Sequence, residues 1–205
     1  MIRLGLPVTV GVLLQLLLGS VDRLVLAAVS GVELLGQYAF AISVASIGAA
    51  GGFVVRTAVF PEIFHAARHG TQAAWVNDLE RLLVSFAWAL SLLLGFLSLG
   101  IEPLVGRWLP DYAAAVPAAR IYVFTGVAQG LIALAMLGIQ AADRQRQIPP
   151  LTALAVLVGA ALAWLALQLG LGLAGVAATS LATRLAYAVT LAALGRPRGR
   201  ARVIA

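Results

Sequence analysis

The sequence predicts an all-α integral membrane protein, a bundle of six transmembrane helices, and three observations carry that expectation. Hydrophobic residues make up 62% of the 205-residue chain and charged residues 11%, with a mean hydropathy of +1.01. A soluble domain holds about 45–50% apolar and about 25% charged residues, so a water-soluble fold of this composition would expose apolar side chains everywhere. Six stretches each supply the roughly 20 apolar residues that a helix needs to cross the hydrocarbon core. Finally, most arginines gather in alternate connections between those stretches.

The first span runs from about Leu4 to Val29 and carries Asp22 and Arg23 in its far end. It is too long for the apolar core of a secretory signal peptide. The second runs from about Leu34 to Phe60 and stops near Pro61, where the missing N–H kinks or ends a helix. The third covers Leu82 to Leu99 and the fourth Val116 to Ala141. The fifth, Leu151 to Leu169, follows Pro149 and Pro150, which suit the first turn of a helix. The sixth spans Leu173 to Leu194. Residues 1–195 thus form one six-span unit, and 196–205 form a basic tail. The connections on one side are short: Ser30 to Glu33, Gly100 to Ala115 and Gly170 to Gly172.

An even number of spans puts both termini on the same side. That side holds Arg3, Arg68, Arg81, Arg144, Arg146 and the tail arginines, against Arg107 and Arg120 opposite. The excess of basic residues marks the cytoplasmic side, so both termini are expected in the cytoplasm. All fourteen basic residues are arginine, which fits a GC-rich coding sequence rich in Ala, Leu, Gly and Val. No basic and aromatic run suited to nucleic acid accompanies the net charge of +6. With no cysteine there is neither a disulfide framework nor a thiolate metal site. His65 and His69, on a polar connection, have i, i+4 spacing, but the sequence predicts no metal site there and no cofactor.

Charge inside a bilayer is costly and usually faces a bundle interior or a wet cavity, so the polar stripes are the informative part. Gly11, Gln15, Gly19 and Asp22 share one face of the first helix, with Arg23 directly after. Gly48, Gly52 and Arg56 form a stripe on the second, where the two glycines permit close helix packing. Tyr122, Gly126, Gln129, Ala133, Met136 and Gln140 line one face of the fourth, with Arg120 at its mouth, and Ser180, Arg184, Tyr187 and Thr190 one face of the sixth. The third and fifth spans hold no interior charge and read as lipid-facing supports. Each stripe has a bland reading: Asp22 and Arg23 pair locally, and Arg56 snorkels to the interface. Arg184, roughly ten residues from either end of its helix, is expected in a polar cavity. Several arginines around one cavity suit phosphate or pyrophosphate, whose oxygens a guanidinium binds bidentately.

The run from Gly5 to Ser46 resembles the start of the C-terminal half of polysaccharide flippases of the O-antigen and teichoic-acid type. These belong to the multidrug/oligosaccharidyl-lipid/polysaccharide exporter superfamily. The matching features are Gly5–Leu6–Pro7, Asp22–Arg23, Gly36-x-Tyr38 and Pro61, then Gly106-x-x-x-Pro110-x-Tyr112 and Asp143–Arg144. The resemblance implies one half of a twelve-helix or larger transporter in the bacterial inner membrane. It implies translocation of undecaprenyl-pyrophosphate-linked oligosaccharide by alternating access, not enzymatic chemistry. It covers nearly the whole chain but half of a family member. The expected partners are therefore the lipid-linked oligosaccharide, membrane lipids, and a missing N-terminal half or a second copy. Asp22 and Arg23 match the family's acid–arginine pair. Arg56, Gln129, Arg184 and Tyr187 join them as cavity residues on their depth and stripe positions.

Two other functions stay open. A multidrug or cation-coupled exporter of the same superfamily would favour intramembrane acids, whereas the spans hold one clear acid, Asp22, against several arginines. A membrane-embedded enzyme of envelope lipids, or a scaffold for one, would need a catalytic constellation. The longest outer connection offers Glu102, Arg107 and Asp111.

Overall fold

The computed structural model describes residues 2–69, 72–141 and 144–195. The basic tail and Asp143 lie outside the described residues. So do the side chains of residues 1–8, Arg68 and His69, and the surroundings of Gly48. Among the described residues there is no strand, and six helical segments are long and apolar enough to span a membrane: Thr9–Gly31, Glu33–Glu62, Val76–Trp108, Pro110–Gln140, Gln145–Gln168 and Gly172–Gly195. Large apolar side chains such as Leu16, Phe53, Trp88, Phe96, Leu157 and Val189 stand more than half exposed around the outside. Water would penalise such a surface and lipid does not. The chain is a multi-pass, all-α membrane bundle.

The first two spans are one continuous element, α1 (Ile2–His69), folded back on itself at Gly31. Gly31 has φ 80° and ψ −178°, a backbone region essentially reserved for glycine. The fold-back is visible in the 3.0 Å hydrogen bond from Tyr38 to Asp22. Sixteen residues of straight helix would hold those two about 24 Å apart. The second arm does not stop at Pro61 but continues to His69, so His65 lies exposed on helix rather than on a connection. Pro61 is exposed, which leaves the carbonyl that its ring deprives of a partner on the outside of the bundle.

The third span is also longer than expected. α2 (Gln72–Trp108) runs through Pro103 and takes Glu102 and Arg107 out of the predicted loop. Its inward stripe explains this: Phe86, Leu90, Leu94, Ser98, Ile101 and Val105 are all buried at steps of three or four, so the packing pattern outlasts Leu99. A 3₁₀ segment, Pro110–Ala115, then leads into the fourth span, which is two helices, α3 (Val116–Tyr122) and α4 (Thr125–Ala141). At the joint the backbone switches to tighter bonds, Phe124 to Ile121, Gly126 to Val123 and Val127 to Phe124. The Thr125 hydroxyl donates to the Tyr122 carbonyl at 2.7 Å. α5 (Ile148–Gln168) and α6 (Gly172–Gly195) complete the bundle.

The fourth span is the centre: 72% of its most apolar stretch is buried, against 22% for the first and third spans. The third span is peripheral as expected, but the two arms of α1 are about as exposed, and the fifth span, 33% buried, is more enclosed than any of these three. Close approach is made through glycine. A Cβ on Gly52 would sit 2.5 Å from Gly130 Cα, so the second arm of α1 crosses α4 backbone to backbone, and Phe86 closes over the same point. One apolar core lies at the Gly31 end, around Leu26, Tyr38, Val105, Ala119 and Val176. A second lies toward the termini, around Leu18, Met136, Ile139, Ile148 and Leu191. Arg144 donates to the Leu194 carbonyl at 3.2 Å and satisfies an open acceptor at the end of α6.

Candidate functional site

Between the two cores lies a buried polar cluster centred on Asp22. Its Oδ2 accepts from Tyr122 Oη at 2.8 Å, Ser180 Oγ at 2.9 Å, Tyr38 Oη at 3.0 Å and Arg184 Nη2 at 3.3 Å. Its Oδ1 accepts the backbone N–H of Arg23 at 3.0 Å. Asp22 is 1% exposed and Arg184 3%. Arg184 also donates to Tyr122 Oη at 3.0 Å and lies over the Tyr122 ring, 5.3 Å from its centroid. Tyr38 meets that ring edge to face at 5.1 Å. The donors come from both arms of α1, from α3 beside the break in the fourth span, and from α6. Among the described residues no buried side-chain nitrogen or oxygen lacks a partner, which is the condition under which a buried ion pair is tolerable.

Arg23 is the next residue along, but one residue turns a helix by about 100°. Its side chain is exposed and donates to the Gly19 carbonyl at 3.4 Å. With Gln15, Gly19 and Ser20 of α1 and Gln129 and Ile132 of α4 it lines a half-open cavity of about 350 Å³. A smaller hollow of about 90 Å³ adjoins it toward the termini, lined by Arg56, Gln140 and Gln145, with Gly11 and Met136. Val12 and Gln15 belong to both walls, so the two hollows adjoin along the first arm of α1 as a groove divided at Gln15. Gln15 Nε2 donates to Met136 Sδ at 3.0 Å. Ion pairs form elsewhere: Asp22–Arg184 in the cluster, and Glu102–Arg120, 3.0 Å apart on the exposed surface. Among the described residues neither Arg23 nor Arg56 has a carboxylate within 4 Å.

The six residues expected to share a cavity therefore fall into three places. Arg23, Gln129 and Arg56 line the groove. Asp22 and Arg184 are turned into the bundle and bound to each other. Arg184 thus differs from its expectation: it is deep, but its charge is met by Asp22 rather than by a cavity. Tyr187 is buried, shares a hydrogen bond with Thr152, also meets the side chain of Gln15 on the groove wall, and lines an apolar cleft between α5 and α6. Three residues of the cluster were not expected as site residues: Tyr38, Tyr122 and Ser180. Tyr38 had a signal, because Asp22 and Tyr38 lie nine and seven residues from Gly31, which puts them level in a hairpin folded there. Comparison with models of known families, with curated proteins and with solved structures returned no match.

Proposed function

We propose that this chain is one six-span half of a flippase that carries undecaprenyl-pyrophosphate-linked oligosaccharide across the bacterial inner membrane, with both termini in the cytoplasm. The groove carries the reading. An apolar bundle has little use for two arginines that, among the described residues, have no carboxylate partner, set with several glutamines along one open face. An arginine that faces lipid at mid-depth costs about 2.5–3.5 kcal/mol on insertion scales. Arg23 lies eight residues, about 12 Å of helix, from the Gly31 turn. Such a groove suits a wet passage for an anion, with guanidinium forks for phosphate oxygens and amides for sugar hydroxyls. The sequence motifs point the same way. Alternating access then needs a second six-span unit opposite the groove, either an N-terminal half or a second copy. Cation export is the weaker alternative, because Asp22 is engaged by Arg184 and offers the groove no charge.

Native mass spectrometry of the purified chain with lipid-linked oligosaccharide tests this without requiring the partner half. The complex is expected with undecaprenyl-pyrophosphate oligosaccharide and not with undecaprenol. The R23A/R56A double variant should bind at least tenfold more weakly. Equal retention of undecaprenol, or unchanged binding by the double variant, would remove the reading; capture of a lipophilic cation instead would favour the exporter.

A further inference from the structure

Building on that reading, we infer that the groove holds two anion-binding stations in series, one at Arg56 and one at Arg23, with Gln15 as the hand-over point. The two arginines occupy opposite ends of a shared wall: Arg56 sits in the hollow that reaches Gly11, and Arg23 in the one that reaches Gln129. In the hairpin turned at Gly31, Arg56 lies twenty-five residues from the turn and Arg23 eight, so their backbones stand about 25 Å apart along the two arms, more than one pyrophosphate group spans. Each station has one guanidinium with amide groups beside it, Gln140 and Gln145 at the first and Gln129 at the second. Gln15 is the polar side chain common to both, and its amide donates to a thioether, a weak acceptor. The same side chain also meets the Tyr187 hydroxyl, so a passing phosphate oxygen would take the place of the thioether while Tyr187 holds the amide at the junction. Arg184 is not a third station: it is neutralised by Asp22 and enclosed. Its part is positional, since the Asp22 clamp fixes the rotation of the first arm and so aims Arg23 into the groove. The ligand class is a pyrophosphate or similarly multivalent phosphate, whether free or as a lipid headgroup.

The chain has no cysteine, so single cysteines report directly on each station. S20C marks the Arg23 station and Q140C the Arg56 station. Alkylation by a small water-soluble maleimide would be timed in proteoliposomes, with and without inorganic pyrophosphate, and with undecaprenyl pyrophosphate in the bilayer. Pyrophosphate in one or both forms should slow both reactions at least fivefold. Adding R56A should remove protection of the Q140C thiol and leave that of the S20C thiol, and R23A should do the reverse. Protection by the lipid form alone assigns the ligand to a headgroup; protection by both assigns it to the shared phosphate chemistry. If either substitution removes both protections, the groove is one site and the series is wrong. If neither form protects either position, there are no stations. R23Q and R56Q, which keep a polar side chain, replace the alanine variants should those not fold. The binding experiment on the unsubstituted chain judges the flippase reading separately: stations that protect in a chain that binds no lipid-linked oligosaccharide would keep this inference and discard that one.

Discussion

The Asp22–Arg184 pair makes a quantitative prediction about the bundle itself. At 3.3 Å and an effective dielectric of about 20, the gross attraction is about 5 kcal/mol, most of it offset by the cost of taking both charges out of water. The two single substitutions should therefore be far worse than their combination suggests. Asp22→Asn leaves the Arg184 guanidinium buried without a counter-charge and should cost about 3–5 kcal/mol. Arg184→Met leaves the carboxylate with three hydroxyl donors, Tyr38, Tyr122 and Ser180, which places it at the lower end, about 3 kcal/mol. The double variant contains no buried charge, and its cost should fall below the sum of the singles by on the order of 3 kcal/mol.

The assay is reversible unfolding in mixed micelles with increasing sodium dodecyl sulfate, followed by helical circular dichroism. Four proteins are compared: the unsubstituted chain, each single variant and the double. Costs that add to within about 0.5 kcal/mol would mean that the two groups do not sense each other. That would refute the cluster as described, as would singles that unfold together with the unsubstituted chain.

Other positions give sharper steric tests in the same assay. Gly52→Ala drives a Cβ to 2.5 Å from the Gly130 backbone, which has no side chain to move aside, and should cost about 1–3 kcal/mol. Gly138→Ala meets the flexible end of Leu79 at 2.7 Å and should cost no more than about 1 kcal/mol; the reverse order would contradict the α1–α4 crossing. Gly31→Ala forces a side chain into a glycine-only backbone region and should cost about 1–3 kcal/mol. Wild-type stability there would mean that the hairpin does not turn at Gly31.

Much of the fold was legible because membrane burial reduces to length and composition: a run of about 20 apolar residues has few alternatives in lipid. The ends were less legible. Pro61 read as a stop and the third span read as ending at Leu99, yet the helices run on through Pro61 and Pro103. For α2 the apolar stripe through Ile101 and Val105 carries the helix past Leu99 and through Pro103, since packing outweighs one lost backbone bond. The break between α3 and α4 had no comparable signal. Val123 and Phe124 are ordinary helix residues, and the tighter backbone bonds around Thr125 arise where Tyr122 is drawn toward Asp22.

The site was half legible for a related reason. Periodicity gives the face of a helix on which a residue lies but not the helix that face meets. Asp22, Tyr122, Ser180 and Arg184 each lay on a stripe, and nothing in the spacing says that the four stripes converge on one carboxylate oxygen. Depth in the membrane singled out Arg184 and left Arg56 between a cavity residue and a snorkelling charge, whereas the structure sorts the arginines by partner. Arg184 is paired with an acid; among the described residues Arg23 and Arg56 face the groove without one. Neighbours in sequence have opposite fates on the same principle. Asp22 is held inward by four side-chain donors, and the next residue, about 100° further round the helix, is thereby turned outward. A cluster that touches no cargo then determines whether the groove has an arginine in it, and this is why the charge that looked most functional in the sequence is the one that acts through another.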